Sequence, residues 1–388
     1  MDTGMADRVR AVIARSELSN RDFASSIPMD DDKLSKSLNG KRRFSSFELA
    51  RVAEIAGVSV DWLTTGTTSH LVGMAARAFG VETSAHDDEI KAVAQKYVDA
   101  VDVLVEVGRR SVLPPLPKVS ATGSFVAEGQ RMASAALKKV DVNVLLGSST
   151  VDLLSHLEDV FHVDIASTSA LPLGIDGLSF QNDRIRLVLL SATENWTRKR
   201  FTMAHELGHI LWGDASEVLT ETLSPGASEN HQEKRANQFA AAFLMPERAV
   251  QDEVGGKKIT DTKFHRLVAK FRVSPSAMAA RLKKLGLIDQ QRYFELRAYR
   301  TRDSIEAVDG MKRREIEEMT IAQASWAPAH MVSDFLALYR AGDISSKPLV
   351  NLTGQPAATW RELLNDKLGP VAVLNDTHGD DTEEMFLP

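Results

Sequence analysis

The chain has 388 residues, of which 43% are hydrophobic and 26% are charged, as is typical of soluble globular proteins that fold into about two to four units. Its net charge of −6 argues against a protein whose whole surface binds nucleic acid. Because it has no cysteine, any metal must be bound by histidine and carboxylate side chains. The N-terminal residues lack the apolar stretch of a signal peptide, and no run of about 18 apolar residues occurs, so we expect a cytoplasmic protein that does not enter membranes.

Residues 7–66 are predicted to form five short helices that are separated by tight turns. Ser19 is a candidate N-cap of the second helix, Gly40 ends the third helix, and Ser45 begins the fourth. The third helix is followed by NGKRR, and the segment GVSVDWLTTG closes the unit. This arrangement resembles the phage-repressor type (XRE-like) of DNA-binding domain. The resemblance implies an all-α helix-turn-helix domain over residues 1–66.

In domains of this type, the N-terminal residues of the third helix lie nearest the bases in the major groove. Here that end contains three aspartates at residues 30–32, which repel phosphates, and residues 1–66 contain ten basic and ten acidic residues. Two functions therefore stay open for this domain, namely DNA binding at the nucleoid and docking onto a protein partner such as another repressor. The candidate DNA-contacting residues are Lys33, Ser35, Lys36, Ser37, Lys41, Arg42 and Arg43.

Residues 67–124 are predicted to connect the first domain to the next. Helical periodicity extends roughly from residue 69 to 110, and the Pro/Ser/Gly-rich stretch VLPPLPKVSATGS follows as a linker. Two helices, at about 126–138 and 149–161, then precede three short strands, VDIAS, GLSF and RIRLVLL, with Asn182-Asp183 as a hairpin turn. The strand RIRLVLL is a candidate edge for binding an extended peptide, although a strand buried on both faces explains its composition equally well.

Residues 201–214, FTMAHELGHILWGD, are predicted to form a helix that contains a HExxH motif. His205 and His209 are four residues apart, so they project from one helix face and can bind one Zn²⁺ ion together. Glu206 lies beside the first ligand and is the candidate general base that takes a proton from a water molecule. Gly208 inside this helix indicates the close approach of another segment, because glycine is unfavourable there by about 1 kcal/mol relative to alanine.

A catalytic zinc site needs a third protein ligand and one open position. The next predicted helix, ENHQEKRANQFAAAFLMPE, presents Glu233 and Asn237 on one face. His231 competes as the third ligand but projects from a different face, and spacing alone does not exclude Glu229. Two histidines and one glutamate also suit Mn²⁺ or Fe²⁺, so the identity of the metal stays open.

The pattern RFTMAHELGHILWGD, followed by E-x-x-A-N-x-F-A-A-x-F-L-M-P, resembles the ImmA/IrrE family of metallopeptidases. Trp212 and Ala215 occupy positions where metzincins have glycine and histidine, which excludes that class. The resemblance implies an α+β, mostly α chain with a zincin-like domain over residues 125–300. The zinc ligands that it implies are His205, His209 and Glu233, with Glu206 as the base. The candidate partners of the oxyanion are Arg200, His231 and Asn237.

Net charge changes sharply near residues 300–310. Residues 256–300 contain twelve Lys/Arg against three Asp/Glu, whereas residues 301–388 contain eight against fifteen. The basic segment is predicted to form two helices around Val273-Ser274-Pro275. It is a second candidate surface for nucleic acid or an acidic partner, although such runs more often mark a solvated face. Similar segments belong to the metallopeptidase domain in the ImmA/IrrE family. Residues 301–388 are predicted to be helical, with a loose acidic tail.

The two modules together favour a zinc-dependent endopeptidase that regulates transcription. In the resembled family the substrates are often repressors of the same helix-turn-helix type, whose cleavage switches on stress, DNA-damage or mobile-element genes. Cleavage of the chain by itself fits the same pattern. Two alternatives stay open: a DNA-binding regulator whose zinc domain is sensory or structural, and a binding partner of the toxin–antitoxin type. The intact base Glu206 argues against a structural site, which has no need of one.

Overall fold

The structure is a computed structural model that describes residues 4–15, 20–27, 29–45, 48–49, 51–52, 63, 86–215, 227–308 and 311–368. The chain divides into two compact units, Met1–Leu71 and Val72–Pro388. The boundary predicted near residues 300–310 lies within the second unit. In the described part of the chain, no helix combines the length and the apolar composition needed to span a membrane.

In the first unit, three helices are described: α1 (Met5–Arg15), α2 (Asn20–Ser26) and α3 (Asp31–Leu38). Helix α3 begins where Asp30 accepts a hydrogen bond from the Lys33 amide, as expected of an aspartate N-cap. The helices surround a small apolar core that includes Val9, Phe23 and Leu34, all fully buried. Most of the predicted fourth and fifth helices lies outside the described residues, as do the predicted N-cap Ser19 and all of residues 69–85.

The second unit begins with four helices: α4 (His86–Glu106), α5 (Phe125–Leu137), α6 (Val142–Gly147) and α7 (Thr150–Phe161). Helix α4 is the described part of the helical segment that was predicted at about residues 69–110. The predicted linker follows it, and no helix or strand occurs there before residue 124. Ser149 and Asp152 form a capping box at the start of α7. His162, with φ of 49°, ends α7 in the left-handed region and directs the chain into the first strand.

The sheet has three strands, β1 (Asp164–Thr168), β2 (Gly177–Gln181) and β3 (Arg186–Ser191), in the order β1-β3-β2. Strands β2 and β3 form the predicted hairpin, in which Asn182 Oδ1 accepts the amides of residues 184 and 185. Strand β1 pairs with β3 in parallel. The segment RIRLVLL is therefore central and buried, and the expectation that it forms a peptide-binding edge is wrong. The reason is that β1 hydrogen-bonds along its other side.

Helices α8 (Trp196–Trp212) and α9 (Ala227–Leu244) follow, and they contain the predicted metal-binding residues. Gly208 on α8 faces α9, where an added Cβ would lie 2.9 Å from the ring of Phe239 and 3.5 Å from the Cα of Ala236. The predicted close approach at Gly208 is therefore present. Gly177 on β2 meets α8 in the same way, because its Cβ would lie 2.6 Å from Thr202 Cγ2. These two glycines bring α8 close to both of its neighbours.

Nine shorter helices complete the described chain: α10 (Glu247–Val254), α11 (Asp261–Phe271), α12 (Pro275–Lys284), α13 (Gln290–Arg297), α14 (Thr301–Glu306), α15 (Met311–Gln323), α16 (Ala329–Ala341), α17 (Lys347–Thr353) and α18 (Ala357–Leu368). Helices α11 and α12 share the apolar core of the sheet, α8 and α9. The backbone of Trp326 pairs with Ser167, so the chain after α15 covers part of the outer edge of β1. The predicted fold class, α+β and mostly α, is confirmed.

Candidate metal centre

Helices α8 and α9 bring three metal-binding side chains together. His205 Nε2 and His209 Nε2 lie 3.1 Å apart, and the carboxylate of Glu233 lies 3.2 Å from the first and 3.3 Å from the second. A tetrahedral zinc site with bonds of about 2.0–2.1 Å has ligand atoms separated by about 3.3 Å. The two nitrogens and the carboxylate, which faces each histidine with a different oxygen, are thus close enough to bind one zinc ion together, and the donor set fits zinc.

The competing third ligand, His231, points elsewhere. Its Nε2 lies 2.8 Å from Glu128 Oε2 on α5, and its ring contacts the ring of Phe125 edge-on. The side chain of Glu229, the other alternative, lies outside the described residues. Among the described residues, only His205, His209 and Glu233 meet as a group able to hold a metal ion.

Both histidines are oriented through the nitrogen that faces away from the metal position. His205 Nδ1 lies 3.2 Å from Asn237 Oδ1, and His209 Nδ1 lies 3.4 Å from Asp214 Oδ2. Because each oxygen favours a proton on the neighbouring Nδ1, each Nε2 keeps its lone pair for the metal. Asn237, predicted as a candidate oxyanion partner, is thus engaged in positioning His205.

A chain of buried charges supports Asp214. Arg235 donates two hydrogen bonds to Asp214, at 2.7 and 2.8 Å, and lies 4.1 Å from the ring centre of Trp212. The same guanidinium donates to Glu128 on α5 at 3.3 Å. This network was not predicted from the sequence. Asp214 directly follows the helix-ending Gly213, which was a usable local signal, whereas Arg235 and Glu128 come from distant segments.

The charges and hydrogen bonds around Glu233 and Asp214 favour the ionised forms of both side chains. Burial alone would raise the pKa of Glu233, but the hydrogen bonds and charges of His205 and His209 lower it far below the ordinary value. Burial likewise opposes ionisation of Asp214, yet hydrogen bonds from His209 and Arg235 lower its pKa. Both side chains are therefore carboxylates over the physiological pH range, as a zinc ligand and the hydrogen-bond acceptor of a zinc ligand need to be.

Glu206 projects from α8 toward the sheet and is 6% exposed. The hydroxyl of Ser179, on strand β2, donates to its Oε2 over 2.7 Å. Ser179 lies at the middle of β2 and reaches α8 because Gly177, two residues earlier, allows close packing there. No local pattern in the sequence marks this serine, so its contact with the candidate base became visible only in three dimensions.

Arg200, the remaining candidate oxyanion partner, is buried elsewhere. Its Nη2 donates to the Leu145 carbonyl at 2.6 Å, and burial lowers its pKa to about 10, with a further contribution from the charge of Arg272. Arg272 in turn pairs with Glu318 on α15 at 3.1 Å. Arg200 is thus part of a buried contact between α8 and α6.

The candidate DNA-contacting residues in the first unit fall into three groups. Lys33 pairs with Asp30 at 3.0 Å and Lys36 pairs with Asp32, so aspartates of the same segment compensate their charges. Ser37 is 3% exposed and accepts a hydrogen bond from Arg42 at 3.1 Å, so the prediction that it faces a DNA groove is wrong. Arg42 also forms two hydrogen bonds with Glu48. The residues that stay exposed are Lys33, Ser35, Lys36, Lys41 and Arg43.

The basic segment 256–300 is less available as a surface than its composition suggests. Arg272 and Arg281 are buried, and Arg281 donates to the Met245 carbonyl at 2.9 Å. Lys270 and Arg292 form ion pairs with Glu253 and Asp261. Part of the positive charge of this segment therefore stabilises the fold around α12.

Comparisons with known proteins cover the segment that contains the candidate metal-binding residues. A family model described as "IrrE N-terminal-like domain" (Peptidase_M78) matches residues 159–283, which extend from the end of α7 into α12. The chain is also similar to the radiation response metalloprotease IrrE of Deinococcus radiodurans, with 29% identity over 166 residues. The aligned part is 42% of this chain and 48% of that relative, so the chain spans about half of the relative's length.

Proposed function

We propose that this protein is a zinc-dependent endopeptidase that regulates transcription, because residues 159–283 match the IrrE N-terminal-like domain of a metallopeptidase family. The observation behind this proposal is that His205 Nε2 and His209 Nε2, which lie 3.1 Å apart, both face the carboxylate of Glu233, whose Oε2 lies 3.2 Å from the first nitrogen and whose Oε1 lies 3.3 Å from the second. A candidate base, Glu206, lies on the same helix as the two histidines. A purely sensory or structural site has no use for that base.

A bound zinc ion supplies Lewis acidity and lets a water molecule lose a proton near neutral pH. His205, His209 and Glu233 hold the ion, while Asn237 and Asp214 fix the orientation of the two imidazoles. These positioning contacts keep the donor set in place before the metal binds, which lowers the cost of organising the site.

Glu206 moves the proton in this proposal. Its Oε2 accepts the Ser179 hydroxyl, so we assign proton uptake from the attacking water to Oε1. The same oxygen then delivers that proton to the amine that leaves when the peptide bond breaks. Burial of Glu206 limits exchange of this proton with bulk solvent.

The substrate that we propose is a repressor with a helix-turn-helix domain, or a second copy of this chain. Two features support it: the N-terminal segment resembles such domains, and the relative from Deinococcus radiodurans is described as a radiation response metalloprotease. Cleavage would release repression of stress, DNA-damage or mobile-element genes. The N-terminal unit would bring the peptidase to its target by binding DNA or the repressor itself.

The test is incubation of the zinc-loaded chain with a second copy of this chain and with any helix-turn-helix repressor encoded beside its gene, followed by intact-mass spectrometry. We expect a discrete pair of fragments from the wild type and none from Glu206→Gln, which keeps its zinc. The matched control is Glu194→Gln, an exposed glutamate two residues before α8, which should cleave normally. Equal cleavage by the wild type and Glu206→Gln, or an intact repressor in every sample, would contradict the proposal.

A further inference from the structure

A groove of about 540 Å³ lies between α8, α9 and α12, and we call it the α12 groove. Its walls are mostly apolar, and they include Phe201, Met245 and Val273. Helix α12 forms one side with Ala277, Ala280 and the cationic residues one turn apart at 281 and 284. The groove is therefore an open apolar channel with positive charge along one wall.

The α12 groove continues the surface that holds the metal-binding residues. His209 contacts Glu233 and His205 contacts Asn237, so α8 and α9 run antiparallel with those residues in register. One helical turn farther along, Phe201 on α8 and Ala241 on α9 line the groove. Asn237 both contacts His205 and lines the groove. The groove therefore adjoins His205 at Asn237 and extends from there toward Phe201, one helical turn or about 5.4 Å along α8.

The charge in this groove has one sign. Its cationic residues are Arg198, Arg281 and Lys284, and none of its described lining residues is acidic. Arg198 pairs with Asp176 outside the groove, and Lys284 donates to the neutral amide of Gln238. The exposed cation at the α12 side of the channel is therefore Lys284, and the buried guanidinium of Arg281 lies one helical turn before it.

Burial increases the effect of that charge. Arg281 is 4% exposed, and desolvation lowers its pKa, an effect that Glu247 partly offsets. Desolvation, together with the charge of Arg281, also lowers the pKa of Lys284. A carboxylate placed between these two cations would stabilise the charged forms of both side chains, because an opposite charge offsets the desolvation of a partly buried cation.

We propose that the α12 groove binds an acidic side chain of the polypeptide substrate, next to a large apolar side chain that contacts Phe201 and Met245. This inference rests on the proposed peptidase function and specifies its substrate class. Lys284 reaches Gln238, the chain neighbour of the Asn237 that contacts His205. Because an extended chain advances about 3.3 Å per residue, we expect the acidic residue about two to four residues from the cleaved bond.

The test is digestion of a proteome-derived peptide library by the zinc-loaded full chain, with cleavage sites read by mass spectrometry. For the wild type we expect Asp or Glu to be enriched at one position two to four residues from the cut, beside an apolar residue. Lys284→Glu should lower the ratio of kcat/KM for acidic over basic peptides about tenfold, because attraction is replaced by repulsion. Lys284→Gln should give an intermediate ratio.

The matched control is Lys283→Glu. Lys283 precedes Lys284 on α12 but lies over the ring of Tyr293, 5.0 Å from its centre, and does not line the groove. This variant makes the same change of net charge and should keep the wild-type preference. An equal shift in both variants would mean that overall charge sets the preference, and it would overturn the proposal.

A binding measurement separates this inference from the proposed function. Zinc-loaded Glu206→Gln should bind a fluorescent acidic–apolar peptide more tightly than its lysine analogue, and the added substitution Lys284→Glu should remove the difference. Cleavage without any preference for acidic residues, combined with equal binding of both peptides, would overturn the groove assignment and leave the peptidase intact. Complete absence of cleavage of the library and the repressor would contradict the peptidase and this inference together.

Discussion

The hydroxyl of Ser179 donates to Glu206 Oε2 at 2.7 Å and thereby links the outer strand β2 to the HExxH helix. A carboxylate that accepts a buried hydrogen bond loses rotational freedom, so its second oxygen keeps a fixed direction. The contact therefore fixes the side chain of the buried candidate base before any substrate binds. It makes Ser179 a positioning residue in the proposed reaction.

Ser179→Ala should lower kcat about tenfold and leave zinc content unchanged, because it removes one hydrogen bond to Glu206 and no metal ligand. The measurement is steady-state cleavage of a peptide substrate, together with metal analysis of the same samples. Ser179→Thr keeps the hydroxyl and should retain most of the activity. Unchanged kcat in the alanine variant would show that the contact does not position the base.

Asp214→Asn should weaken zinc binding about 10- to 100-fold, since His209 loses a charged partner on its Nδ1. Competition with a chromophoric chelator measures this affinity directly. Asp261→Asn is the matched control, because Asp261 forms an ion pair with Arg292 on the surface and touches no metal ligand. Equal zinc affinity in the two variants would exclude a role for Asp214 in metal binding.

Glu158 makes stability depend on pH. Its side chain accepts the amides of Ile165 and Ala329 at 2.9 and 3.1 Å, and burial raises its pKa from 4.5 to about 8. The unfolded chain releases this proton near pH 4.5 and the folded chain keeps it to about pH 8. The free energy of unfolding should therefore fall as pH rises through this window, as linkage requires.

Glu158→Gln cannot ionise, so its free energy of unfolding relative to wild type should increase by several kcal/mol between pH 5 and pH 8. Urea unfolding of metal-free protein at several pH values measures this difference and avoids the pH dependence of zinc binding. Parallel curves for the two proteins would show that Glu158 is ionised in the folded state.

Features set by neighbouring residues in the chain were predictable from the sequence. The four-residue spacing of His205 and His209 fixes a shared helix face, and Asn182-Asp183 fixes a hairpin turn. Gly208 also indicated a close approach, because glycine in a buried helix otherwise has no advantage. Glu233 needed the resemblance to a family, since spacing alone left Glu229 and His231 open.

Features set by packing between distant segments were not predictable in this way. The central position of β3 depends on β1, a strand that follows α7 in the chain and pairs with β3 in parallel. Ser37 is buried because Arg42 folds back onto it, which a helical pattern does not reveal. The link from Asp214 through Arg235 to Glu128 joins three elements, and each residue alone looks like an ordinary surface charge.

The most direct test of the metal centre is the zinc content of the purified chain, measured by mass spectrometry for wild type, Glu233→Ala and His231→Ala. The geometry predicts about one zinc per chain in wild type and in His231→Ala, and loss of most of the zinc in Glu233→Ala. Full zinc occupancy in Glu233→Ala, with loss in His231→Ala, would contradict the assignment of the third ligand and the site built on it.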